Sequence, residues 1–176
     1  MWFKKIPIWI KVILLQIFFL ILHYLYDWFP NMFTTICSGI NESVYQHMKI
    51  GFFAYILLIL IELLLTFKAI ESFTRYVFSR LFAATYLPMA TLVIFLISPM
   101  VFGHIENILL EIIFANIALI ITSLTTLIIE KHVEKTVPGL AFKIIVIFLF
   151  VISLAQFIVF TFELPWFDVF AVPPGW

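Results

Sequence analysis

The sequence predicts an all-α fold, a polytopic transmembrane helix bundle of about five spans with its N-terminus inside and its C-terminus outside. Three observations carry this expectation. Of 176 residues, 65% are hydrophobic and 11% charged, with a mean hydropathy of +1.20, more apolar surface than one water-soluble domain of this size buries. The apolar residues gather into five stretches close to the ~20 residues that cross a hydrocarbon core. Nine of the ten basic residues, all except Lys49, then fall on one side, which the retention of Lys and Arg on the cytoplasmic face makes the inside.

The first span is placed near 6–28. Lys4 and Lys5 precede its apolar run, but the bulky segment from His23 to Trp28 offers no small-residue cleavage site, so the segment reads as an uncleaved anchor. Pro30 and Asn31 end it. The second span is placed at 50–67. The third, at 80–98, carries an internal Pro88 where a kink is expected, and it stops at Ser98-Pro99 and Gly103. The fourth is placed at 105–129, and the fifth, after Pro138-Gly139, at 140–162. Trp2, Trp9, Trp28, Trp166 and Trp176 all fall at or beyond span ends, where amphipathic rings settle. The whole chain, 1–176, reads as one membrane domain, and a prokaryotic plasma membrane is the simplest location.

Composition excludes several classes of function. Ten basic and ten acidic residues cancel, and no basic stretch suits nucleic acid. Cys37 is the only cysteine, so there is neither an internal disulfide nor a thiolate cluster. Glycine-rich phosphate loops, a Gly-x-Ser-x-Gly elbow and Cys-x-x-Cys are all missing. The lipid bilayer is the expected surrounding, and a lipid or another membrane protein is the class of partner open to such a chain. Nothing marks an oligomeric state.

With sides assigned, three of four histidines and six of ten acids lie on or near the external face. Ionisable groups in spans are costly and face a bundle interior, a cavity or a partner, so this clustering selects the candidate site. His23 and Asp27 are four apart and stack on adjacent turns of the first span, in line with Gln16. On the fourth span His104, Asn107 and Glu111 share a face that continues through the small residues Ala115, Ala118 and Thr122. Glu111 lies ~10 Å below His104 along the axis, where a carboxylate needs a specific partner. Gln156 and Glu163 share a face of the fifth span. In the first external loop Asn41 is expected to cap a short helix, with Glu42 in its first turn and Ser43 and His47 on one face. Glu42 and His47, five apart, serve one metal only if Glu42 lies at the cap rather than within the helix.

The loop Asn41-Glu42-Ser43-Val44-Tyr45-Gln46-His47-Met48-Lys49, following His23 and Tyr26-Asp27-Trp28, resembles an uncharacterised family of small prokaryotic integral membrane proteins whose signature reads roughly Asn-Glu-Ser-x-Trp-Glu-His-x-Lys. The likeness is best over the first two spans and extends to the proline-containing tail from Glu163 to Trp176. Tyr45 stands where that group has Trp, and Gln46 where it has Glu. The resemblance implies the membrane topology and picks out the loop residues, without naming a reaction.

Three functional classes follow. The first is a metal-dependent, membrane-embedded hydrolase or transferase, with His23, His47 and His104 as ligands for a divalent transition metal such as zinc and Asp27, Glu42 and Glu111 as catalytic acid or base candidates. The second is a proton- or cation-coupled transporter using Glu111, against which the lack of a visible internal repeat argues. The third is a non-catalytic scaffold or accessory subunit. Two charged features read as structural: Glu62, expected to pair with Lys11, Lys68 or Lys143, and the run Glu130 to Lys135, expected to be a solvated loop.

Overall fold

The computed structural model describes residues 5–103, 105 and 107–172. Five of its helices are long and apolar enough to cross a membrane. They are α1 (Ile8–Trp28), α3 (Val44–Thr66, extended by a 3₁₀ turn to Ala69), α4 (Phe73–Phe95), α6 (Ile108–Lys135) and α7 (Leu140–Phe162). Two short helices, α2 (Met32–Cys37) and α5 (Ile97–Phe102), lie in the connections. Spans of 21 to 28 residues are ~30–40 Å long, enough for the hydrocarbon core. Their outward faces are Ile, Leu, Val and Phe, with Leu64 and Phe148 well exposed, as a lipid-facing surface requires.

Three boundaries depart from expectation next to a charged residue, Lys49, Arg80 or Glu130, and one at Ser98-Pro99. Helix α3 starts at Val44, so the short loop helix expected after Asn41 is in fact the first turns of the second span. Its polar residues Gln46 and Lys49 are fully buried against neighbours rather than left to lipid. Helix α4 starts at Phe73 and holds Arg80 in its interior. Helix α6 runs to Lys135, so the run from Glu130 to Lys135 is not a solvated loop: it is helical, and Glu130 is buried. Ser98-Pro99 does not end helical structure either. A further short helix continues to Phe102, and Gly103, at φ +71°, makes the break. Helix α4 passes through Pro88 without interruption.

Helices α1, α3, α4 and α6 pack in a closed ring, each against two others, while α7 lies outside against α4. Small side chains let α4 and α6 approach closely: Ala83 and Ala84 on one, Ala118, Thr122 and Ser123 on the other, all buried, with Thr91 and Thr122 hydroxyls 3.2 Å apart. The expected small-residue face of the fourth span therefore packs inward through Ala118 and Thr122. Helix α7 meets α3 through rings, with Phe52 5.5 Å from Phe150 and 5.1 Å from Phe157, and the Tyr45 hydroxyl donates to the Gln156 carbonyl at 2.8 Å.

Charged residues from all four of these helices meet inside the ring. Lys11 of α1 pairs with Glu62 of α3 and, at 3.0 Å, with Glu130 of α6. Arg80 of α4 reaches Glu62 at 3.1 Å and Glu130 at 3.4 Å, and pairs with Glu134. The Tyr55 hydroxyl donates to Glu130, Ser79 accepts from Arg80, and the guanidinium lies 4.1 Å from the centre of the Tyr76 ring. Glu62 thus pairs with Lys11, as one of its expected partners, and with Arg80; neither Lys68 nor Lys143 takes part. Ion pairs between four helices close the ring, because removing any one partner strands a buried charge.

Candidate metal centre

At the other end of the same helices the chain makes a short return. Helix α1 stops at Trp28, and Asn31 caps α2 with its side-chain oxygen accepting from Phe33 N at 2.9 Å and Thr34 N at 3.1 Å. Thr34 reciprocates by accepting from Asn31 N at 3.0 Å, a capping box. After α2 the backbone comes back to α1, where Gly39 N donates to Leu22 O at 3.3 Å. The approach is close: a Cβ on Gly39 would lie 2.8 Å from Ile50 Cδ1, which would have to shift, and in ordinary contact 3.6 Å from His23 O.

The next three residues decide where Glu42 points. Asn41 accepts from Ser43 N at 3.0 Å and so forms a turn on itself, and Ser43, not Asn41, caps α3 by accepting from Gln46 N at 3.3 Å. Glu42 therefore precedes the cap instead of occupying the first turn. This is the arrangement in which it can reach His47 five residues on. Lys49, on the far side of α3, anchors the return by donating to Thr35 O at 2.9 Å and to Thr161 Oγ1 at 3.1 Å, tying α2 and α7 to α3.

His23, Glu42 and His47 converge. The two histidine Nε2 atoms are 3.3 Å apart, and Glu42 Oε2 is 3.4 Å from each. All three side chains are partly exposed, between 19% and 32%, so the group is reachable from outside the bundle. His47 Nδ1 lies 2.9 Å from Ser43 O; a carbonyl only accepts, so Nδ1 carries a proton, and this bond orients the ring with Nε2 toward His23 and Glu42. His23 Nδ1 is buried with no partner among the described residues. The Phe19 ring flanks both imidazoles, its centre 6.3 Å from each. Hydrogen bonds from His23 and then His47 hold the Glu42 carboxyl well below the usual carboxylate range, against the opposing effect of partial burial, so it is an anion at neutral pH.

The three donor atoms form a nearly equilateral triangle. Three donor atoms 3.3–3.4 Å apart are close enough to bind one ion with bonds of about 2.0–2.2 Å. Two imidazole nitrogens and one carboxylate, with the fourth position open, form a ligand set found in catalytic zinc sites. The chain matches no family model, no curated protein and no solved structure. Its chemistry is therefore read from its own residues.

The other sequence candidates stand apart from this triangle. Asp27 is one turn past His23, exposed, and in no ion pair among the described residues. Glu111 is in the first turn of α6, beyond its Asn107 cap, and does not belong to the cluster. His104 lies outside the described residues. Sequence reasoning missed Arg80, Glu130 and Tyr55, because a basic or acidic residue near a span end looks the same whether it faces water or a partner helix.

Proposed function

We propose that this multi-pass membrane protein is a metal-dependent, membrane-embedded hydrolase or transferase whose His23, Glu42 and His47 hold a divalent transition metal, zinc by preference, at the external face of a prokaryotic plasma membrane. The triangle of donor atoms at 3.3, 3.4 and 3.4 Å carries the reading, since it lets three side chains from a loop and two helices bind one ion. A divalent ion held by His23, Glu42 and His47 would supply Lewis acidity and lower the pKa of a bound water, the chemistry used in hydrolysis of carbonyl or phosphoryl esters. Placement at the external face rests on the basic residues: Lys5, Lys11, Arg75, Arg80, Lys131 and Lys135 all border one cavity at the opposite end, which supports that end as cytoplasmic. The likeness of the Asn41–Lys49 loop to the signature of small prokaryotic membrane proteins supports the same reading.

The test is elemental analysis of detergent-purified protein prepared without chelator, wild type beside His23→Ala and His47→Ala. About one equivalent of zinc or another transition metal, lost in both variants while helicity and monodispersity are kept, is the expected result and justifies screening ester and phosphoester lipids. Folded wild-type protein that neither carries metal nor takes up added Zn²⁺ would overturn the reading.

A further inference from the structure

The end of the bundle away from the histidines contains a cavity of about 370 Å³, in the size range of small-molecule sites. Its floor is the ring of ion pairs, where Lys11 and Arg80 neutralise Glu62 and Glu130. The rim is different. Arg75, Lys131 and Lys135 border the cavity and form no ion pair among the described residues; Glu71 is the one rim acid in the same condition. Lys5 is 3.6 Å from Glu134 and largely exposed, so it too is only loosely engaged.

We propose that this cavity binds a phosphate-bearing anion, as the headgroup of an acidic phospholipid or as free phosphate. A neutralised floor does not repel an anion, and above it the rim sets four cations, Lys5, Arg75, Lys131 and Lys135, against two carboxylates, Glu71 and the Glu134 that pairs with Arg80 and Lys5. Arg75 supplies a planar fork that matches phosphate oxygens, while Lys131 and Lys135, one turn apart on α6, supply mobile ammonium groups. The cavity opens where α1, α4 and α6 end, at headgroup depth if these helices span the bilayer, and basic pockets between membrane helices at that level take anionic headgroups. The site shares no residue with the histidine cluster, so it stands or falls independently of the metal.

Two measurements on the full chain test it, each comparing wild type with the triple variant Arg75→Gln/Lys131→Gln/Lys135→Gln and with a control, Lys68→Gln/Lys143→Gln, that removes basic residues elsewhere. Native mass spectrometry after incubation with equal amounts of phosphatidylglycerol and phosphatidylcholine reads the lipid source. Thermal stabilisation by inorganic phosphate, against chloride at equal ionic strength, reads the free anion. Selective retention of phosphatidylglycerol, reduced on the order of tenfold in the triple variant and kept in the control, supports a headgroup site. Stabilisation by phosphate with the same dependence on variant supports free phosphate. No preference for either probe in wild type overturns the proposal, as does equal loss in the triple variant and the control, which would mean general surface charge. Because the three substituted side chains make no ion pair, circular dichroism of the triple variant is expected to match wild type; should it misfold, the single Lys131→Gln and Lys135→Gln variants, both exposed, carry the same comparison.

Discussion

The two polar clusters at the ends of α1 are built from similar side chains and differ in what is left over. Lys11 and His23 are ~18 Å apart along that helix. Around Lys11, charges from four helices satisfy one another; around His23, two imidazoles and a carboxylate crowd one point with only one another as partners there. Burial alone does not separate structural from functional polarity in a membrane bundle. Saturation does: a group whose donors and acceptors are all spent holds helices together, while a half-exposed group with a vacant focus can take a ligand.

The largest effect that would break this contrast is in the saturated cluster. Arg80→Met leaves Glu62, Glu130 and Glu134 short of a partner and is expected to cost about 3–5 kcal/mol, seen as a collapse of the thermal transition or failure to purify folded protein. An unchanged transition temperature would mean that the ring does not depend on its ion pairs. In the unsaturated cluster the order reverses. His23→Ala and His47→Ala are expected to weaken zinc binding at least ~100-fold in competition with a chelating dye, yet shift the metal-free melting temperature little. If either variant melts as severely as Arg80→Met, the histidines are structural and the contrast fails.

Gly39 tests whether the return loop sets the triangle. Gly39→Ala meets Ile50 Cδ1, the end of a flexible side chain, and is expected to cost about 1–2 kcal/mol while loosening metal affinity through the displaced Glu42. Stability loss with unaltered affinity would show that the loop and the ligand are uncoupled.

The smallest effect concerns pH. The folded-state pKa of Glu42 lies below its unfolded value, so its contribution is fully present above the ordinary glutamate range near 4.3 and is lost as pH falls through the lower folded value. Metal-free wild type is therefore expected to exceed Glu42→Gln by about 1 kcal/mol at neutral pH, with the gap closing only in strong acid. A gap that widens on acidification would reverse the assigned protonation and sink the account of Glu42 as an anion held by two imidazoles.

The five spans were legible because hydropathy is a one-dimensional signal, and α7 begins and ends where Gly139 and Glu163 said it should. Two of the misplaced ends share one cause. Arg80 marks the start of a span and Glu130 the start of a solvated run in the sequence, yet each is paired with groups far along the chain, Arg80 with Glu62 at a separation of 18 and Glu130 with Lys11 at 119, and no local pattern reports such pairings. In the candidate site the convergence of His23 and His47 across 24 residues follows from the first two spans lying antiparallel. The position of Glu42 did not follow, since Asn41 and Ser43 are both good caps and only the Asn41 turn onto Ser43 N decides between them. Asp27 shares the right helix face with His23 but lies a turn too far out.

The sequence positions of the two clusters also set an order in time. Ligands from α1, Glu42 and the start of α3 are all synthesised within the first 47 residues, so two inserted spans suffice to assemble the histidine triangle. The ring has to wait for Glu130, in the fourth span, and until then Lys11 lacks one of its two carboxylates. During synthesis, then, the His23–Glu42–His47 corner can assemble while the opposite end of the bundle is still electrostatically unfinished.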